Sequence, residues 1–380
     1  MPQVSLSQQF SLNAIEGVLS EVRASPGQDL PVTKDYASKR HGPLRDAARL
    51  QLLATWARTS PGKRLVFSAQ NSTASVLDEW CEYAPGLVGL RMSEGIIVGE
   101  QPIERRDALV PALSKMEHTS QLELRSIVKG RVVDFPCVSG ADRQYLSALF
   151  TEKDPRAVKG KQAMFEELMR LSVFVAQTDR VNIDPSFLDA CALFSTELMK
   201  NTQEHAIADA RGKPYLAHVE GLILGWNEMS ARVFRDDFTG HPDLNAFWER
   251  EEVELGQGDR GLRSIQISFF DTGPGFVGRL LGADSENLEI EEEREIVLAG
   301  LRKHATSKRE TGAGNGIPEV LAKLRKIGGL ITIRTGRLRI FRAFSRGEDA
   351  DLFDFKDWSA SRLSEAAGAV VTIIMPIRRA

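Results

Sequence analysis

The stretch Ser264–Phe276, SIQISFFDTGPGF, constrains this chain more than any other. Apolar and polar residues alternate through SIQISFF with the two-residue period of a half-buried strand. The run ends on Asp271, and glycines follow at 273 and 275. A buried carboxylate at a strand end can accept from an amino group on a ligand. Gly273 and Gly275 let the next backbone turn sharply and approach that ligand. Two other stretches stand on either side. FSTELMKNTQEHA, Phe194–Ala206, sets Glu197, Asn201 and His205 at four-residue steps, one row on a helix, backed by Leu193, Phe194, Leu198 and Met199. TGAGNGIPEVLAKLRKIGG places Gly312, Gly314 and Gly316 before a helical pattern, where their amides can cradle phosphates. Asn201 offers an oxygen suited to Mg²⁺. Glu197, one turn earlier, is placed to take a proton from an attacking water.

Singly, each of these has a plainer reading. A Glu/Asn pair on a helix is commonly a solvated face or a cap, Asp, Gly and Pro are turn residues, and short glycine motifs arise by chance. Their order, and their placement on a helix, a strand end and a helix start, carry the nucleotide reading.

At 380 residues the chain is long enough for two domains. A net charge of −3 gives no chain-wide grip on nucleic acid and leaves only a local patch as a route to it. Cys81, Cys137 and Cys191 lack the pairing of a disulfide framework or the spacing of a zinc site, which points to a reducing cytoplasm. The N-terminus lacks a signal-peptide pattern, and no run reaches the roughly 18 apolar residues of a membrane helix.

The first ~25 residues are polar and weakly patterned and read as a loose arm. A helix is expected over Gly42–Thr59, a strand at RLVFSA, and a helix from Ser75 to Tyr83. GLVGLRM and GIIVGE read as short strands, and QLELRSIVKGRVVDFPCVSG as two strands joined near Lys129 and Gly130. This gives a smaller α/β domain over 1–154. The charged stretch TEKDPRAVKGK marks a boundary, and a second domain runs over 155–380. There a helix at QAMFEELMRLSVFVAQT precedes the Glu197 helix and the strand AHVEGLILGW. A polar loop is expected over 235–261, and LITIRTG, RLRIFRAF and AVVTIIMPI read as strands. The proportions suit an α/β sandwich, one mixed sheet with helices on one face.

The three motifs resemble those of the GHKL ATPase superfamily, which includes gyrase, heat-shock chaperones, histidine kinases and MutL. The Glu197 helix is similar to that family's N box, DTGPG to its first glycine box and TGAGNGI to its second, a likeness covering about residues 165–380. The resemblance implies a Bergerat-type ATP-binding domain. Asn201 would hold Mg²⁺, Asp271 the adenine amino group, and Gly312, Gly314, Asn315 and Gly316 the phosphates. Residues 282–315 would form the ATP lid. RKHATSK is similar to a lid segment of MutL-type ATPases, so Thr306, Ser307 and Lys308 are expected on the phosphates. The acidic SENLEIEEERE reads as the lid's exposed face, and His205, His218 and His304 as structural. Family members often carry a Thr after the glycine before the last strand. This chain has Ala369 there, so that a water or Thr372 substitutes or the contact is absent. The stretches 202–270 and 345–368 are long, with aromatic residues suited to packing or a partner (Trp226, Phe238, Trp248, Phe353, Phe355, Trp358).

No phosphoacceptor histidine precedes the domain: His118 lies in KMEHTSQ, and residues 155–185 hold none. Glu197 four residues before Asn201 resembles the hydrolytic branch of the family. The expectation is a cytoplasmic, Mg²⁺-dependent ATPase whose lid closes on ATP and changes its contacts with a partner protein or a second copy, as an ATP-dependent homodimer would. The alternatives are a serine/threonine kinase acting on a separate protein, as anti-sigma-factor kinases do, and an ATP-binding module without turnover. No membrane partner is expected.

Overall fold

The structure, a computed structural model, describes residues 6, 11–139, 145–282, 287–302 and 316–378. The fold is α/β, and among the described residues its strands form two sheets. The smaller sheet takes β1 (Leu30–Pro31), β2 (Leu65–Phe67), β3 (Gly95–Val98) and β4 (Gln101–Glu104), with β1, β2 and β3 parallel. The larger runs β11 (Lys356–Asp357), β10 (Leu338–Phe344), β9 (Gly329–Gly336), β12 (Ala366–Pro376), β8 (Asp259–Asp271), β6 (His218–Ser230) and β5 (Val132–Ser139). A short β7 (Val253–Gly256) folds onto the start of β8.

The larger sheet is antiparallel at every pairing rather than mixed. The helical crossover after β8 does return β9 in the same direction. The C-terminal β12 then inserts between them, antiparallel to both.

Helices cover both faces of this sheet, not one. Successive side chains of a strand point to opposite faces. From β8, Phe269 meets Phe194 of the helix Pro185–His205 edge-on at 5.1 Å. On the other face Gln266 Oε1 accepts from the Leu44 N–H at 3.2 Å, and Phe270 packs with Ala47, Leu50 and Ala54, all from the helix Pro43–Thr59. The alternation in SIQISFF therefore does not mark a wet face. Ser264, Gln266 and Ser268 are buried beneath that helix, with Gln266 donating to Ser264 Oγ and Ser268 bonded to Thr372 at 2.8 Å. A polar layer between sheet and helix satisfies its own hydrogen bonds, as buried polar groups must.

The helix Pro43–Thr59 is buried from Pro43 to Ala57, charges included. Arg45 pairs with Asp237 at 2.6 Å, while Asp46 takes Arg49 and the Tyr83 hydroxyl. Breaking one of these pairs leaves a buried charge alone, which typically costs about 3–5 kcal/mol. Because this helix and β5 both belong to the larger sheet's layers, residue 154 is not a break in the core, which runs continuously from one half to the other. Within the first ~25 residues, read as a loose arm, the described part from residue 11 is ordered and packed. Leu12–Ala24 is a helix capped by Ser11, burying Leu12, Ile15, Leu19 and Val22. GLVGLRM belongs to a helix, Ala84–Met92, and of the two strands expected in QLELRSIVKGRVVDFPCVSG only β5 forms among the described residues, after a short helix Leu124–Ile127. The loop expected over 235–261 holds the helix Pro242–Glu251 and β7.

Burial, with the Arg49 charge behind it, pushes the His41 imidazole from 6.5 down to about 4. A depressed folded-state value means that stability is complete above about pH 6.5 and falls as pH drops toward 4. Urea midpoints measured across that window should decline in the wild type and decline less in His41→Asn. An identical slope in the two proteins would assign the acid limb to carboxylates instead.

Candidate functional site

Asp271 ends β8 on the face that carries the Glu197 helix, and it is 4 % exposed. Its Oδ1 accepts from the Gly273 N–H at 2.9 Å, which folds the chain back at once. A Cβ on Gly273 would come within 2.8 Å of the Ala206 backbone, where the Glu197 helix ends. Gly275 has φ +72°, in the left-handed region, and a Cβ there would press on Thr335 Oγ1. Thr272, between Asp271 and Gly273, is held from behind. Its Oγ1 accepts from the Val219 N–H at 3.0 Å, and Arg58 donates to its carbonyl at 2.8 Å while lying 3.5 Å over the Tyr215 ring. Burial brings Arg58 down to about 10, against the pull of Tyr215 and Asp271.

Ala369 pairs with Asp271 across β12 and β8. Thr372, the suggested substitute for the missing Thr, cannot fill that role: it is bonded to Ser268 on the opposite face. A threonine from the next strand supports the loop instead. Thr335 Oγ1 accepts from the Phe276 N–H at 3.0 Å.

Beside Asp271 lies a cavity walled by Leu198, Met199 and Thr202 of the Glu197 helix, by Phe276 and by Val371. Its volume is about 10 Å³, room for one water at most. Arg279, from the short helix Gly275–Leu281, fills the rest. Its guanidinium forms an ion pair with Asp271 Oδ2 and is 9 % exposed. Nε and Nη2 make no directional hydrogen bond, so the pair holds by charge alone, at a cost in unmet donors. Nothing in the sequence singles Arg279 out; it becomes visible only once the helix after DTGPG turns it back over the strand end.

Glu197 is half-buried and does not face empty space. Its Oε2 accepts from the Gly316 N–H at 2.7 Å, the first residue of the helix Gly316–Ile327. The carboxylate thus caps a helix start, where negative charge is favoured. A Cβ at Gly316 would sit 2.7 Å from that oxygen and 3.0 Å from Phe194 Cα, so a glycine is required for the two helices to meet there. Asn201 lies one turn further along, half-buried. The structure brings together Asp271, Gly273, Gly275, the Glu197–Asn201 row and Gly316 around one end of the Pro185–His205 helix. Thr306, Ser307, Lys308, Gly312, Gly314, Asn315 and His304 lie outside the described residues, as does the side chain of His205. His218 is buried on Glu220 at 3.0 Å and on Thr272, a packing role. The acidic face after 286 is not wholly exposed: Glu293 is buried and takes the Arg337 backbone N–H and side chain, each at 2.8 Å.

Asp271 is a buried acceptor, and beside it Arg279 leaves a cavity too small for anything beyond one water. Among the described residues no group of three or more His, Cys, Asp or Glu is placed to hold a metal. A magnesium ion bound mainly by phosphates and waters needs only a single protein oxygen, which Asn201 can offer. Comparison with protein-family models, with curated proteins and with solved structures finds no match to this chain.

Proposed function

We propose that this protein binds ATP with Mg²⁺ at the end of the Pro185–His205 helix, in a Bergerat-like arrangement, and hydrolyses it. The observation that carries the reading is Asp271, a buried carboxylate at a strand end. It is walled by apolar residues of the same helix that presents Glu197 and Asn201 one turn apart. Bound magnesium nucleotide would supply the phosphoryl group and the charge that neutralises it. Asp271 accepts from the base, Leu198, Met199 and Val371 cover its faces, and Asn201 offers its oxygen to the metal. Glu197 holds the Gly316 helix start beside the phosphates and draws a proton from water. The lid and the partner or second copy it would contact belong to the same proposal.

Arg279 makes the resting site a closed one. Adenine enters only if the guanidinium swings out toward the surface, where the helix already exposes Leu280 and Leu281. Arg279→Met should therefore tighten nucleotide binding about tenfold, a gain of ~1.4 kcal/mol, read by calorimetric titration. Weaker binding would make Arg279 a ligand contact rather than a plug.

One contact favours a second reading, an ATP-binding module without turnover: one oxygen of the Glu197 carboxylate, the group a hydrolytic base would use, is taken by the Gly316 N–H. γ-Labelled ATP separates the possibilities. Hydrolysis releases label as inorganic phosphate, whereas a kinase moves it to a serine or threonine of another protein. No turnover, with or without a partner present, would leave the module reading standing.

A further inference from the structure

The two long stretches that lie outside the motifs pack against each other. Phe238 lies 5.2 Å from Trp248 and 5.6 Å from Trp358, and the Trp358 indole N–H donates to the Asp237 carbonyl at 2.9 Å. Beside this aromatic joint is a cavity of about 570 Å³, the size of a small-molecule site and separate from the Asp271 pocket. Its walls are residues 240–242, the helix Ile290–Arg302, the β9–β10 turn and residues 356–363.

The charge on this lining is unbalanced. Five cations, Arg294, Arg337, Arg339, Lys356 and Arg362, line it against Glu291 and Asp357. Three of the five are engaged: Arg294 with Asp357, Arg337 with Glu293, Lys356 with Asp354. Arg339 and Arg362 are different. Arg339 is 7 % exposed, and among the described residues its side chain makes a single ion pair, 3.1 Å to Glu16 Oε1. That carboxylate is already gripped by Arg334, at 2.8 Å and 3.0 Å through both oxygens. The other nearby carboxylate, Asp237, is taken by Arg45. Two guanidiniums thus share one carboxylate, and one buried positive charge has no counter-ion of its own, an arrangement that is costly unless something supplies one. Burial, partly offset by Glu16, and the neighbouring Arg334 charge hold Arg339 below its usual range. Arg362 is exposed at the rim and has no hydrogen bond or ion pair among the described residues. Ile290, Leu338 and Leu363 give the same cavity an apolar side.

We propose that this cavity binds a small organic phosphate, its anionic end toward Arg339 and Arg362 and its carbon part against the apolar side. The site stands independently of the nucleotide reading. It also bears on it, since the helix Ile290–Arg302 is a cavity wall within the stretch expected to be the lid.

Hydrogen exchange on the full chain at constant ionic strength tests this, with phenyl phosphate and inorganic phosphate as probes at about 10 mM, a concentration that fills a site of millimolar affinity to about nine-tenths. Phenyl phosphate should protect residues 240–243 and 356–363. Inorganic phosphate should protect them less if the ligand is an ester; equal protection would reject the organic part of the proposal. Arg362→Glu should weaken the effect at least about tenfold with no change in melting temperature. Arg339→Met should remove it without lowering the melting temperature, because the variant deletes the charge that lacks a counter-ion. Absence of protection in the wild type, or equal protection in both variants, would overturn the site. So would a large drop in stability for Arg339→Met, which would show that its charge is already balanced.

Discussion

Asp271→Asn should lose nucleotide binding and lose stability as well. Asparagine keeps the acceptor for the Gly273 N–H but cannot offset Arg279, whose guanidinium then lies buried without a partner charge. Orphaning one member of a buried pair costs about 3–5 kcal/mol, enough to move a urea midpoint well beyond error. The base contact fails for a separate reason: replacing a charged acceptor of a hydrogen bond forfeits about 1.5–3 kcal/mol, or roughly 10- to 150-fold in affinity. The two losses come apart in Asp271→Asn with Arg279→Met, where the orphaned charge is gone. Stability should return most of the way to wild type, because the uncompensated buried charge that destabilises the single variant is gone. A double variant as unstable as the single one would show that the pair is not what anchors the Gly275–Leu281 helix.

Glu197→Gln is the second large effect. The amide oxygen of glutamine still accepts from the Gly316 N–H, so the start of the Gly316–Ile327 helix keeps its cap. What glutamine cannot do is take a proton. Phosphate release should fall by about 10²- to 10⁴-fold, the usual worth of a positioned general base, with nucleotide affinity unchanged. Glu197→Ala is the poorer test, since it removes the cap too, at about 1 kcal/mol. If Glu197→Gln turns over at the wild-type rate, the carboxylate is a structural cap and nothing more.

Much of the larger sheet could be read from the sequence. β6, β8, β9, β10 and β12 are strongly patterned, and Gly273, Gly275 and Gly316 fall where backbones meet. The misreadings share one cause: contacts distant in sequence. GLVGLRM forms a helix, started by Pro85, because Gly86 and Gly89 allow close approach to Trp80. The polar positions of SIQISFF suggested solvent, but a helix about 220 residues earlier in sequence covers them. Asp271 was legible as an acceptor; its present partner was not, because Arg279 follows an ordinary apolar segment. The excess charge at Arg339 depends on Glu16 and Arg334, far apart in sequence, and no local pattern reports it.

The central claim is that Asp271 reads the base of an adenine nucleotide. Calorimetric titration of ATP with Mg²⁺ into the folded double variant, Asp271→Asn with Arg279→Met, tests it most directly, beside Arg279→Met alone. Binding should be tighter than wild type in the single variant and about 10- to 150-fold weaker in the double than in the single. Equal affinity in the two variants would contradict the claim and place the nucleotide, if there is one, elsewhere.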